Sequence, residues 1–433
     1  MFATKQTGEL RALVPGNAGY NAGFMPYRWK LVALLFVIGG LNYGDRTAIS
    51  SVFPLLRVDL GTSDVALAAI GSFFLWAYAF GSPLAGSLAD RFSRANIIVA
   101  SLAAWSLIMA ATGLAASTNQ LLLTRVLLGF AECAYLPAAV GLIADYHEPK
   151  TRGAAIGIHI AGLNFGMIAG GTGAGFLAEH FGWRVVFFVL GGAGLALAAF
   201  AKSILLDLKI PKAPVDKPNF AALFRIPSFL IVLAEGMIVS IGVWIFLNWL
   251  PLFFSETYSM SLTRAGFLGT FPLQAASTLG FLSGGFISDR FARKELRRRM
   301  LYQSICYLIS APFLLVFLVN PSAVLLAAAI FAFAIFRTMG VGNENTITCD
   351  LLPPNLRSTA IGMCNALNCL AGGIGVLVAG SLKQSYGLQG VFGGISLIML
   401  ACAALTCIGY RFFLARDLAG KMGTDTTSAE STP

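Results

Sequence analysis

Residues 85–94 read AGSLADRFSR, and 199 positions later residues 284–293 read GGFISDRFAR. Asp90, Arg91, Phe92 and Arg94 recur as Asp289, Arg290, Phe291 and Arg293. A second pair of stretches agrees at nearly the same spacing. RGAAIG at 152–157 and RSTAIG at 357–362 lie 205 apart, and Asp145 matches Asp350 at that offset. Two matches at almost one offset make the chain an internal duplication.

The sequence around these words is unusually apolar. Of 433 residues, 57% are hydrophobic and 12% charged, against roughly 45–50% and about 25% in a soluble domain. A bilayer is the solvent that accepts so much outward-facing hydrocarbon. A membrane helix needs about 20 mainly apolar residues. Twelve runs qualify: 28–52, 66–89, 96–115, 118–143, 153–177, 184–203, 228–254, 264–287, 298–319, 322–348, 358–382 and 388–414. Each is too long for a barrel strand of about 9–11 residues. The expected architecture is all-α: twelve transmembrane helices in two six-helix, pseudo-symmetric halves. The halves are 1–203 and 228–414. The Pro-rich, charged segment 204–227 reads as a cytoplasmic linker, and 415–433 as a disordered cytoplasmic tail.

The net charge of +10 follows from this topology. With the N-terminus inside, most Lys and Arg fall in cytoplasmic segments, including Lys150, Arg152, Lys209, Lys212, Lys217, Arg297, Arg298 and Arg299. The outer loops carry only Arg57, Arg184, Arg264 and Lys383. This is the positive-inside bias. It places both termini in the cytoplasm and removes the case for nucleic acid as a partner. The first apolar run has no small-residue cleavage site and reads as an uncleaved helix. None of the seven cysteines lies in an outer loop or at metal-ligand spacing, so no metal site and no cofactor are expected.

Charges inside a bilayer cost roughly 2.5–3.5 kcal/mol each on insertion scales, so their default reading is functional. They are Asp45 and Arg46 in the first run, Arg125 and Glu132 in the fourth, Glu235 in the seventh, and Arg337 and Glu344 in the tenth. Arg125 and Glu132 share a helix face but lie about 10 Å apart along the axis, too far to pair. Asp45 and Arg46 point about 100° apart. The economical arrangement brings helices 1 and 4 together, with an arginine of one compensating a carboxylate of the other. Burial favours the neutral form of a carboxyl group and a neighbouring guanidinium favours the charged form. An anion competing for the arginine therefore releases a carboxylate to take a proton. The same four residues also fit a static ion-pair network that only ties the helices together.

The duplicated G-x-x-x-D-R-F-x-R loops, Gly86 to Arg94 and Gly285 to Arg293, resemble the signature loops of the major facilitator superfamily. The resemblance covers nearly the whole chain. Physically, an acid at a helix end and arginines on the adjoining loop clamp helix ends through charge-assisted bonds. Asp90, Arg91, Arg94, Asp289, Arg290 and Arg293 are therefore read as gating residues. Further words narrow the likeness: NYGDR at 42–46, RVLLGFAECAYLP at 125–137, GWRVVF at 182–187, NWLP at 248–251 and AGFLGTFP at 265–272. Together they resemble the anion:cation symporter family, which moves sugar acids and other small organic anions with H⁺ or Na⁺. That resemblance implies coupling roles for Asp45 and Glu132 and substrate contacts from Tyr43 and Arg46. Spinster-like lysophospholipid transporters share N-Y-x-D-R and R-x6-E and are the competing reading. Pro137 and the GWRVVF word favour organic anions, as do polar residues expected in the cavity: Tyr78, Asn164, Asn248, Gln274, Asn365 and Asn368. Arg125 and Arg337 are further candidate anion contacts, and Glu344 is read as an inner-gate partner. Glu235 is expected near the cytoplasmic surface. His159 reads as an interhelical contact, with a proton relay as the alternative.

The expectation is thus a proton-coupled carrier of a small organic anion, working by alternating access as a monomer surrounded by lipid in a bacterial inner membrane. An enzyme is disfavoured because no nucleophile–base word, HExxH or paired-cysteine metal site occurs. A channel is disfavoured because two-fold repetition with midplane charges suits a carrier, and a channel needs a continuous selectivity ring.

Overall fold

The computed structural model describes residues 26–206, 223–293, 295–352 and 354–419. All regular structure among them is helical. Twelve long segments follow in order: α1 (Tyr27–Ser51), α2 (Asp64–Arg91), α3 (Arg94–Thr112), α4 (Thr118–Tyr146), α5 (Pro149–Phe181), α6 (Trp183–Ile204), α7 (Pro227–Tyr258), α8 (Leu262–Ala292), α9 (Arg298–Val319), α10 (Ala323–Leu351), α11 (354–386) and α12 (388–408). The linker lysines 209, 212 and 217 and the tail from 420 lie outside the described residues.

Local sequence accounts for the helix starts. Ser63, Ser93, Ser117, Ser261 and Ser322 each accept a bond from the backbone N–H three residues on, which satisfies a donor the helix leaves orphaned. Pro149 and Pro227 open α5 and α7, where a missing N–H costs nothing. Gly387, with φ 64°, breaks the continuous run into α11 and α12. Two interruptions fall beside acids: α4 is broken after Glu132 and α10 before Glu344.

Among the described residues, nine stretches are long and apolar enough to cross a bilayer, and the ninth holds both α11 and α12. Helices α1 and α8 are not among them: Asn42, Asp45 and Arg46 interrupt the apolar run of α1, and Pro272, Gln274 and several Ser, Thr and Gly residues dilute that of α8. The place of α1 is held instead by packing. Water does not drive helices together in lipid, so close backbone approach must. Gly40 and Gly44 of α1 lie directly on Gly166 and Gly170 of α5; a Cβ on Gly166 would sit 1.9 Å from the Gly40 carbonyl oxygen. Thr47 Oγ1 adds a bond to the Met167 carbonyl at 2.9 Å. At about 100° per residue, seating Gly44 on α5 turns Asn42 and Arg46 to the opposite side, into the protein.

The two halves meet along α2–α11 and α5–α8. Ser72 and Trp76 of α2 donate to the carbonyls of Gly373 and Leu370 on α11 at 2.7 and 3.1 Å. Asn164 of α5 donates to Thr278 of α8 at 2.9 Å. Glu179 accepts from the Thr263 backbone and hydroxyl at 3.1 and 2.7 Å. With six helices in each half, the described residues that flank the linker and open and close the chain meet at one end of the bundle, here the linker end: Tyr27 donates to the Ile204 carbonyl at 3.0 Å, and the Ser228 N–H to Asp417 at 2.9 Å.

Candidate functional site

Arg46 is the centre of the buried charge. Its Nε donates to Glu132 Oε2 at 3.1 Å, with side-chain exposures of 4% and 0%. Its Nη2 donates to Asn42 Oδ1 at 3.3 Å, one helical turn back. The guanidinium lies over the rings of Tyr43, Tyr78 and Phe74, at 4.2, 4.7 and 5.1 Å from their centres. The aromatic faces stabilise a cation held out of water and fix its plane. Gly129 lets α4 bring Glu132 this close, since a Cβ there would meet the Phe74 carbonyl oxygen at 2.5 Å.

Two more charges complete the cluster. Asp45 is 1% exposed, has no ion pair among the described residues, and leaves Oδ1 without a hydrogen-bond partner. Its electrostatic neighbours are Glu132, Arg125 and Arg46. Arg125 is also 1% exposed. Its Nη2 reaches only Thr112 Oγ1 at 3.4 Å and Met109 Sδ at 3.6 Å, and its Nε has no partner. Two acids and two arginines thus share one interior with a single direct ion pair between them.

A cavity between the halves touches this cluster. Arg46, Thr47 and Arg125 line it from one half, and Trp244, Asn248 and Val376 from the other; the remaining wall is apolar. Its volume is about 20 Å³, room for one water and far below the roughly 300–1,000 Å³ of a ligand pocket. The halves are drawn together around the site.

Sequence reasoning placed Tyr43, Asp45, Arg46, Tyr78, Arg125, Glu132 and Asn248 in one site, and the structure brings these together. It puts the other expected contacts elsewhere. Asn164 sits in the α5–α8 seam, and Gln274 is buried in α8. Arg337 donates to Ser277 and Thr338 at 3.1 and 2.9 Å. Asn365 is exposed, and Asn368 donates to Glu344 at 3.3 Å. Glu235, expected near the cytoplasmic end of its helix, is fully buried among helices there, bonded to Tyr307 and to Gln303. Glu344 lies beside Asn368 and not at the helix-end clamp. His159 is an interhelical contact, 3.1 Å from the Leu35 carbonyl. Thr47 and Phe74 were missed as site residues, and Trp244, read first as a packing anchor with substrate contact as the alternative, lines the cavity. A regular apolar pattern gives no sign of which aromatic faces a cavity.

The expected clamps at the linker end take a different form. Arg94 pairs with Asp145 across α3 and α4. Asp289 pairs with Arg299 at 2.7 Å, and Arg299 also reaches Asp350 at 3.2 Å. Both clamps stay within one half. Arg290 and Arg293 are exposed with no ion pair among the described residues. The side chains of Gly86, Asp90 and Arg91 lie outside the described residues. At the opposite end, a network unforeseen in the sequence joins the halves. Arg57 pairs with Asp64 and Glu256, and Lys383 pairs with the same two acids at 3.1 and 2.9 Å.

Comparison with known proteins agrees with the fold. The sequence model described as Major Facilitator Superfamily matches residues 35–375 and again 236–421. An MFS-type efflux pump of Mycolicibacterium smegmatis is 29% identical over 90% of this chain and 93% of its own length. A probable galactarate/D-glucarate transporter of Bacillus subtilis is 28% identical over 62% of this chain and 66% of its own. A hexuronate transporter of the same organism is 23% identical over 93% and 98%. A crystal structure of a bacterial homologue of the lysosomal transporter Spinster, inward-facing and occupied, superposes with a TM-score of 0.78 at 23% identity. That match covers 91% of this chain and 99% of the other, and it bears on fold alone.

Proposed function

The chain belongs to the major facilitator superfamily, and from that premise we propose that it carries a small organic anion, a sugar acid or related carboxylate, across the membrane together with a proton. The observation that carries this reading is the buried set of Asp45, Arg46, Arg125 and Glu132, in which Arg46 holds Glu132 at the edge of the cavity. Two negative and two positive side chains balance. A bound anion adds one uncompensated negative charge to a dry site, which is costly. A proton taken with it restores the balance.

The geometry suggests an order. The substrate carboxylate competes with Glu132 for the planar, bidentate face of Arg46. Breaking a buried pair costs on the order of 3–5 kcal/mol. The new charge-assisted bonds and protonation of the released Glu132 offset that cost. Asp45, already without an ion pair, is the second proton-carrying group. Alternating access then exposes the loaded site on the other side. The Arg57–Asp64–Glu256–Lys383 network serves as the gate at the end away from the linker, and Arg94 and Asp289 stiffen helix ends on the linker side. Asp90 and Arg91 are assigned to that inner gate by the sequence word alone. The basic linker end is cytoplasmic by the positive-inside bias. Names given to relatives support sugar acids as the substrate class. The cycle is reversible, so the direction of net transport follows the gradients.

A second reading, an amphiphile such as a lysophospholipid, is favoured by the mostly apolar cavity wall. Thermal melting of the purified protein with hexuronates, glucarate, dicarboxylates, aromatic acids and lysophospholipids separates the two. A ligand at 100 times its Kd adds about 2.7 kcal/mol of stability. We expect a sugar acid to raise the melting temperature of the native protein and not of Arg46→Ala. Stabilisation by lysophospholipid alone replaces the first reading with the second.

A further inference from the structure

The C-terminal half contains a second group of buried acids, remote from the cavity wall. Glu235 on α7 is fully buried. Its Oε1 accepts from the Tyr307 hydroxyl, and its Oε2 accepts from Gln303 Nε2 at 3.1 Å, both on α9. Glu344 on α10 is partly buried, and its Oε1 accepts from Asn368 Nδ2 of α11 at 3.3 Å. Glu344 Oε1 lies against α7 beside Glu235: a Cβ on Gly236, the next residue, would lie 2.7 Å from it, and the two acids act on each other electrostatically.

Neither acid has a cation within ion-pair distance among the described residues. Arg337, two turns before Glu344, spends its bonds on Ser277 and Thr338. The other titratable groups facing the pair are Tyr307 from α9, Cys364 from α11 and Cys402 from α12. Phenols and thiols are neutral in the ordinary range and supply no counter-charge. Two carboxylates in one dry site cannot both stay ionised. Gln303, itself fully buried, and Asn368 turn their N–H groups to the acids, so the pair is held by neutral donors alone.

We propose that Glu235 and Glu344 form a second proton-binding site, in the C-terminal half, in which one of the two acids carries a proton. The step is transfer of a proton from water to a carboxylate oxygen, and no bond to carbon changes. Glu344 is the entrance: it is partly exposed, and Asn365, one turn from Asn368 on α11, is exposed. Buried Glu235 is the terminus. A transporter with a titrating group in this half can bind a proton outside the α1–α4 cluster.

The inference takes from the proposed function only that the chain is a transporter; it does not need Asp45 or Glu132 to titrate. The test is infrared spectroscopy of the full chain in lipid, following the carbonyl band of protonated carboxyl groups and its shift in D₂O. In Asp45→Asn/Glu132→Gln protein we expect the band to persist at neutral pH, and to be lost when Glu235→Gln is added. In Glu344→Gln the remaining band should titrate away at lower pH, because the repelling neighbour is gone. That variant loses one hydrogen bond of a partly exposed group, so it keeps the test alive if Glu235→Gln does not fold. Absence of the band in the double variant overturns the proposal, as does its survival with both glutamates replaced. A band that grows only when Na⁺ is withdrawn assigns the site to sodium and overturns it too.

Discussion

The two halves share a sequence repeat and a helix plan, but they treat buried charge in opposite ways. In the N-terminal half Arg46 meets Glu132 directly, with Asp45 and Arg125 close by and the cavity at their edge. In the C-terminal half the cation and the acids stand apart: Arg337 bonds hydroxyl groups, and Glu235 and Glu344 bond amides and a phenol. Duplication transmits a scaffold more faithfully than it transmits chemistry. The packing diverges likewise. Helix α1 lies on α5 backbone to backbone through Gly40, Gly44, Gly166 and Gly170, whereas the equivalent α7–α11 contact sets Gly372 and Gly375 against the side chains of Trp244 and Ile241.

The largest effect should come from that packing difference. Gly166→Ala places a methyl group 1.9 Å from a carbonyl oxygen that has nowhere to go, while Gly375→Ala meets Ile241, its Cγ2 at 2.7 Å and its backbone Cα only at 3.1 Å, an overlap a shift of a few tenths of an ångström relieves. Overpacking costs about 1–3 kcal/mol, and we expect Gly166→Ala at or above the top of that range and Gly375→Ala near its bottom. Melting of the two variants side by side decides it; equal losses would remove the α1–α5 seam from the explanation.

Next come the arginines. Arg46→Lys loses a planar, bidentate donor stacked on three rings, and anion affinity should fall at least about tenfold, or about 1.4 kcal/mol. Arg337→Lys, away from the cavity wall, should change affinity by less than about threefold. Calorimetric titration of both with the same anion measures the contrast, and a larger loss for Arg337→Lys reverses the assignment of the halves.

A smaller effect is expected at the network joining the halves. Exposed ion pairs are worth about 0.2–1 kcal/mol, and Lys383 is more shielded than those, its side chain 12% exposed, so Lys383→Ala should raise the open population at that end by about fivefold or more. The readout is alkylation of Ile70→Cys, a cavity-lining position, by an impermeant reagent in an otherwise cysteine-free chain. No change in labelling rate would show that the network is ornament on a closed interface.

The smallest effect belongs to Asp59, in the short helix Phe53–Leu60 between α1 and α2. Bonds from Arg184 (2.5 Å) and Trp183 (2.9 Å) hold its carboxyl below the usual carboxylate range. A depressed value means that the contribution to stability is present above the unfolded-state value, about 3.9, and is lost as pH falls through the folded one. Asp59→Asn should therefore lower the melting temperature slightly at pH 7 and flatten its fall below about pH 4. An unchanged acid limb contradicts this.

Much of this was legible in the sequence, for physical reasons that also mark its limits. Helix length in a bilayer is dictated by thickness, so twelve runs could be counted directly; α1 and α8 are the two less apolar ones, and in α1 glycine packing compensates for Asp45 and Arg46. Charges too costly to bury idly pointed to Asp45, Arg46, Arg125 and Glu132, and helix geometry already excluded pairing between Arg125 and Glu132. The facing of polar residues was not legible. Asn164, Gln274 and Asn368 are as apt to bridge helices as to meet substrate, and only the packing of α5, α8 and α11 tells which. Glu235 was placed near the cytoplasmic surface because it lies early in its helix, and its burial was not legible. The structure buries it because Tyr307 and Gln303 arrive from α9, a contact that no local pattern announces. The network of Arg57, Asp64, Glu256 and Lys383 was invisible for the same reason, its members coming from remote segments.

The central claim is that the α1–α4 carboxylates couple anion movement to the proton gradient. The decisive measurement uses one set of proteoliposomes for two assays, uptake driven by a pH gradient and substrate-for-substrate exchange, with the native chain, Asp45→Asn and Glu132→Gln. The account predicts that both variants lose accumulation against a gradient, since no proton can be released on the far side, while at least one retains exchange, which needs no net proton movement. Full gradient-driven accumulation in both variants would make Asp45 and Glu132 structural and contradict the account.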